Sequence, residues 1–266
     1  MNRAKKIIYI ALFLLFAAFF AVSAVVIGQY VKEAKERKDN YDDIREQVED
    51  LRGSETEPSI VVTTPFTQPE TNEPGTILPE YAPLFLQNPD MVGWIRIEGT
   101  KVDYPVLQTP GQVDFYLKKG FDKKYNAGGA IYVREVCDVN TPSDNVTIYG
   151  HNMHDGSMFA AITRYQFKDF WEENRYISFD TLTERHTYEV ICAFKTSGYL
   201  NEGFAYHLFV DADNEAEFNS FISTCKRLDF FDTGVTAEYG DKLICLSTCE
   251  YTMDNGRFVV VAKRID

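Results

Sequence analysis

The sequence predicts a mainly β domain, a closed or nearly closed barrel carrying inserted helices, preceded by an N-terminal transmembrane helix. Three observations carry this expectation. An uncharged apolar run extends from Ile7 to Gly28. Beyond residue 80 the chain breaks into many short segments of alternating polarity separated by turn residues. Few stretches in that region repeat with the period of a helix.

The apolar run follows Arg3, Lys5 and Lys6. At about 1.5 Å rise per residue such a helix is long enough to span a bilayer. Val22-Ser23-Ala24 offers a small-residue cleavage pattern, but the run continues through Val25, Val26 and Ile27. That continuation favours a retained anchor over a cleaved signal peptide. Lys32, Lys35, Arg37 and Lys38 lie just past the span, so basic residues flank it on both sides. The very short N-terminal tail favours a cytoplasmic N-terminus, with the rest of the chain outside.

Residues 30–51 are charged and helix-prone. Ala34, Tyr41 and Val48 share one heptad position, and Tyr30, Ile44 and Leu51 another. With so few heptads and Arg37 in the seam, a solvated juxtamembrane stalk is expected rather than a coiled coil. Residues 52–80 hold five of the ten prolines among Ser, Thr and Glu. Such a segment buries too little apolar area to fold and reads as an extended tether. The expected organisation is therefore tail and anchor over 1–29, stalk over 30–51, linker over 52–80 and a folded domain over 81–266.

Within that domain, Tyr81 to Asn88 reads as a short helix closed by the Pro89-Asp90 turn. Residues 93–97, 102–106, 130–133, 146–149 and 187–194 alternate as strands. Ser157 to Tyr165 is expected to be a short helix. Asn214 to Leu228 has the clearest helical pattern, with Phe218, Phe221, Ile222, Cys225 and Leu228 on one face and Glu217 completing the N-terminal cap. Residues 242–248 and 257–265 are strong closing strands.

Composition limits the function classes. A 45% hydrophobic chain can fill a core, while a formal net charge of −13 argues against nucleic-acid binding, which needs a basic surface. The five cysteines, Cys137, Cys192, Cys225, Cys245 and Cys249, are odd in number and scattered, unlike a disulfide framework. Cys245 and Cys249 are four apart in one strand, so about 13 Å separates their Cα atoms, too far for a bridge.

The closing hairpin carries the chemistry. Cys249 and Arg257 lie equally far from Met253, so strands pairing about that centre make thiol and guanidinium cross-strand neighbours. A permanently charged guanidinium stabilises a thiolate or an oxyanion beside it. A lone cysteine is more often an inert core thiol, the fate expected of Cys192, Cys225 and Cys245. A cysteine nucleophile also needs an acid or base, usually histidine. His151 follows the strand 146–149 directly, and Gly150 permits a sharp turn that presents it. His154 is its rival. The His151-x-x-His154 spacing on a loop without further ligands is a weak metal pattern. His186 lies in a polar turn and His207 in a loop, both expected to pack or face water.

Tyr-Gly-His-Asn-Met at 149–153, Leu-Ser-Thr-Cys-Glu-Tyr at 246–251 and Gly-Arg-Phe-Val-Val-Val-Ala-Lys-Arg at 256–264 resemble the His, Cys and Arg segments of sortases. Residues 88–95 resemble the start of that catalytic domain. Cys-Leu-Ser-Thr-Cys before the nucleophile and the long helix at 214–228 resemble class B in particular. The resemblance covers roughly residues 80 to 266 and follows the family's order. It implies an eight-stranded sortase-type barrel and a catalytic set of His151, Cys249 and Arg257. Ser247, Thr248 and Glu250 flank the nucleophile and would bind substrate or hold the site. The implied reaction is cysteine transpeptidation at a Gram-positive cell envelope; from the residues themselves no cofactor or metal ligand set is expected, and Asp138, Asp144 and Asp155 form no recognisable calcium loop. A secreted protein's C-terminal sorting signal is cleaved through a Cys thioester. Its acyl group passes to an amine of a peptidoglycan precursor such as lipid II, or to a pilin lysine.

Two other enzyme classes fit less well. L,D-transpeptidases carry a Ser-x-Gly-Cys-x-Arg pattern that is missing around Cys249, and papain-like or NlpC-like peptidases place Cys before His. The non-enzyme alternative is a membrane-tethered binding module in which these side chains only pack.

Overall fold

The computed structural model describes residues 3–52, 76–199 and 201–266. Most of the segment expected to be a linker lies outside the described residues. Contacts divide the chain into two units, Met1–Asp42 and Asp43–Asp266.

In the first unit, helix α1 starts at Arg3 as part of a single helix, Arg3–Arg52. Its large apolar side chains between Ile7 and Ile27 stand exposed. Length and composition make this segment a candidate membrane anchor.

The second unit contains the last turns of α1, and here the expectation of a stalk solvated along its length needs correcting. Ile44 and Val48, one turn apart on the same helix face, are buried. Arg45 donates to the Asp103 carbonyl at 2.9 Å and lies over the Tyr104 ring. Ile44 and Val48, the end of the stripe read as an incomplete heptad seam, thus lie on the second unit's own barrel. Helix α2, Ala82–Gln87, carries Pro83 in its first turn, where a missing N–H costs no hydrogen bond.

Eight strands follow: β1 Met91–Arg96, β2 Asp103–Leu107, β3 Ile131–Val133, β4 Asn145–Tyr149, β5 Tyr176–Thr181, β6 Thr187–Ser197, β7 Leu243–Glu250 and β8 Gly256–Arg264. They close into a barrel in the order β1-β2-β3-β4-β7-β8-β6-β5. The eight-stranded closed barrel implied by the resemblance is the observed fold. Closure leaves no edge to protect, and Trp94, Tyr104, Phe179, Phe194 and Phe258 are fully buried on one or the other face of the sheet.

Seven of the strands are visible as separate sequence segments. The eighth, β5, is preceded by a short helix α3, Lys168–Glu173, and neither was expected from the pattern. The helix expected at Ser157 to Tyr165 is instead a 3-10 helix, Ala160–Gln166. Helix α4, Glu215–Leu228, matches its expectation. Asn214 Oδ1 accepts from the Glu217 N–H, and Glu217 accepts in return from the Asp213 N–H. Phe218, Phe221, Ile222 and Cys225 are buried, and the helix packs beside β6.

Two pairings position the site. β4 runs parallel to β7 with Tyr149 opposite Ser247, so Gly150 and His151 emerge beside Thr248 and Cys249. β7 pairs antiparallel with β8 in unbroken register, Cys249 opposite Arg257.

Candidate active site

The register delivers three candidate side chains to one end of the barrel. Cys249, His151 and Arg257 line a single open cleft of about 380 Å³. Among the five thiols, the other four are buried and Cys249 is partly exposed. Burial pushes the Cys137 thiol up and the Cys225 and Cys245 thiols well above the ordinary value. Those three are held protonated and enclosed, unsuited to attack. Accessibility therefore separates Cys249 from its siblings.

Gly150 shapes the approach of His151 for a reason the sequence did not give. Its backbone is not left-handed; the demand is for room. A Cβ there would lie 2.5 Å from Ile131 Cδ1 and 2.7 Å from the Phe159 ring. The Gly150 N–H donates to the Ser247 carbonyl, and its own carbonyl accepts from Thr248 Oγ1 at 2.7 Å. The two segments are thus laced together just before the functional pair. The His151 ring reaches the Leu117 carbonyl, with Nε2 at 2.7 Å. A carbonyl only accepts, so Nε2 carries the hydrogen.

Arg257 Nη1 donates to the carbonyls of Asn255 and Gly256 at 3.3 and 3.0 Å. A guanidinium has five N–H donors, so others are left for a ligand. The group lies against the backbone of Gly198, where a Cβ would be 3.0 Å from Cζ.

The residues flanking Cys249 take different places. Ser247 and Thr248 line the cleft. Ser247 Oγ is bonded to the buried Tyr206 hydroxyl at 2.5 Å. Glu250 is not among the residues lining the cleft, and of its two expected roles it fits holding the site rather than binding substrate. Its carboxylate meets Lys195 at 2.9 Å and Thr252 at 2.8 Å, which ties the hairpin loop to β6. Burial works against that charge, yet the bonds from Lys195 and Thr252 prevail and hold Glu250 below the usual carboxylate value.

Several cleft residues were not legible as such. Tyr206 and His207 sit on a short 3-10 turn that packs over the cleft, and the His207 carbonyl accepts from Arg134. His207, expected to pack or face water, packs against the Tyr206 ring and also lines the cleft. Burial first, then the charges of Arg134 and Arg257, push its pKa below 6.5. His154 stacks on the exposed Tyr251. His186, expected to face water, is mostly enclosed between Glu184 and Asp266. Among the described residues no group of three His, Cys, Asp or Glu side chains is arranged to hold a metal ion.

A closed barrel with one accessible thiol, facing an arginine across a hairpin and sharing a cleft with a histidine, is the architecture of a thiol-dependent acyl transferase. The family model for the sortase domain matches residues 95–265. Sortase B of Staphylococcus aureus is 27% identical over 265 residues, covering 99% of this chain and 98% of its own. Sortase B of Listeria monocytogenes is 30% identical over 198 residues, covering 73% of this chain and 78% of its own. The structure of a Staphylococcus aureus sortase B–substrate complex superposes with a TM-score of 0.73 at 27% identity, covering 88% of this chain and 98% of that one. The chain belongs to the sortase family. It is a cysteine transpeptidase most like the class B members.

Proposed function

We propose that this enzyme is a membrane-anchored sortase that cleaves a C-terminal sorting signal on secreted proteins and joins them to an amine of a peptidoglycan precursor. One observation carries the reading: the only partly exposed thiol of the five stands opposite Arg257 in the cleft that also holds His151. Similarity to a sortase B solved with its substrate supports a peptide in this cleft.

In the proposed reaction the Cys249 thiolate attacks the carbonyl of the signal's threonine. Arg257 and a backbone N–H stabilise the oxyanion that forms. As the C–N bond breaks, protonated His151 gives its proton to the departing amine, leaving an acyl thioester. The second amine attacks that thioester, loses a proton to His151 and restores the thiolate. Residues 1–29 hold the enzyme in the membrane by a single span, with the N-terminus in the cytoplasm and residues 81–266 outside, where both substrates lie.

The test is cleavage of a library of fluorescent sorting peptides, with and without a peptidoglycan-type amine. Cleavage by the wild type, a transfer product only with the amine, and silence from Cys249→Ala are expected. Full activity in Cys249→Ala, or no peptide cut under any condition, would overturn the reading and favour a passive binding module.

A further inference from the structure

We infer that Gly129 and the carbonyl of Leu117 form a backbone strut that positions the His151 imidazole, which makes Gly129 a positioning residue of this site. The inference rests on the reading of His151 as the general acid. Nothing in the order of the sequence links these residues; they meet because β3 enters the barrel beside the end of β4.

The 2.7 Å contact from His151 Nε2 fixes the tautomer, since the Leu117 carbonyl can only accept. Nδ1 is then the nitrogen that gains and loses a proton, and the ring cannot turn without breaking the bond. The orientation of the acid is therefore only as good as the placement of one carbonyl on an irregular segment. That placement has its own supports. Leu117 N–H donates to Asp114 at 3.0 Å, and Ala130 N–H, one residue before β3, donates to the Tyr116 carbonyl at 3.1 Å. The Tyr116 side chain is buried, its hydroxyl donating to Asp90 at 2.7 Å.

Gly129 closes the strut. Its φ is +58°, a conformation side chains resist, and a Cβ there would lie 2.5 Å from the Leu117 oxygen and 2.7 Å from the Tyr116 oxygen. Any side chain would push the carbonyl that holds His151. The same connection supplies a control: Gly111 has φ +75°, and a Cβ there would meet nothing within 4 Å. Alanine at 111 imposes comparable backbone strain without touching the strut.

The experiment uses full-length protein in detergent micelles, selectively labelled with 15N-histidine, with His151→Ala to assign the signal. Long-range proton–nitrogen spectra report the His151 tautomer, and peptide transfer reports kcat and KM. Wild type is expected to carry the neutral-form proton on Nε2. Gly129→Ala should lose roughly 10- to 100-fold in kcat, the scale of a misplaced catalytic group, with a shifted His151 tautomer signal. Its KM should change less than its kcat, because the displaced Leu117 also lines the cleft while the main loss falls on the acid. Gly111→Ala should match wild type in both readouts.

Three results would overturn the inference. A folded Gly129→Ala protein could keep the wild-type tautomer and kcat. Gly111→Ala could lose as much kcat as Gly129→Ala, which would assign the effect to loop strain. Wild type could carry the proton on Nδ1, which decides against the strut even if Gly129→Ala fails to fold. An active Cys249→Ala protein would instead remove the transpeptidase reading, and the inference with it, through a separate readout.

Discussion

The cleft has two walls built on different principles. One is the β7–β8 hairpin, where Cys249 and Arg257 face each other in unbroken register. The other is the connection over residues 108–130 between β2 and β3, which brings the Leu117 carbonyl to His151. The hairpin locates its side chains by strand period and pairing, so two residues equidistant from a turn must meet. The connection locates a backbone atom by local turns, a buried tyrosine and a glycine with no room for a Cβ. Regular structure fixes which side chains meet. Irregular structure fixes how one of them is held.

The largest expected effect is on the hairpin wall. Cys249→Ala should abolish transfer, by at least ~10³-fold, with circular dichroism unchanged, because the thioester has no other accessible thiol to form on. Residual transfer at wild-type rate would break the contrast between accessible and buried thiols. Arg257→Ala should cost roughly 10²- to 10³-fold in kcat. Arg257→Lys should restore only part of it, since an ammonium lacks the guanidinium fork. Full rescue by lysine would mean that charge alone matters and the Nη1 anchoring to Asn255 and Gly256 does not.

Gly150→Ala sharpens the comparison at the junction of the two walls. The added methyl would press on Ile131 and Phe159. Overpacking of this kind costs about 1–3 kcal/mol, measurable as a lower midpoint in urea. His151 should move with it, so activity should fall further than the folded fraction does. A stable, fully active variant would show that the segment yields.

The smallest effect is on pH dependence. The His207 pKa is depressed in the folded state by burial and by Arg134 and Arg257. A base with a depressed folded pKa prefers its neutral form there. Its contribution to stability is therefore present above 6.5 and is lost as pH falls through the lower folded value. His207→Gln should flatten that loss in a comparison of unfolding midpoints above and below pH 6.5. An unchanged slope would place the acid sensitivity elsewhere.

These contrasts explain what the sequence disclosed. Seven strands, α4 with its Asn214–Glu217 cap, and the Cys249–Arg257 pairing are local patterns of period, cap and turn. The family's three motifs located His151. Strand β5 was missed because only Asn174 and Arg175 separate it from α3, too little to mark where one element ends and the next begins. Tyr206, His207, Leu117 and Gly198 were not legible as cleft residues because each lies on an irregular segment, brought in by non-local packing. Glu250 was left between binding substrate and holding the site. Adjacency to the nucleophile suggested a shared role, yet its carboxylate is bound by Lys195 and Thr252 outside the cleft. The apolar positions Ile44 and Val48 were legible as a stripe, but a stripe does not name its partner.

The central claim is that Cys249 carries the acyl group between donor and acceptor. The most direct measurement is mass spectrometry of the full-length enzyme mixed with a sorting peptide and quenched in acid before amine is added. The expected result is a mass increase equal to the acyl fragment, mapped to the peptide containing Cys249 and discharged by amine. An adduct on another residue, or steady turnover with no thioester at Cys249 at any time, would contradict the account.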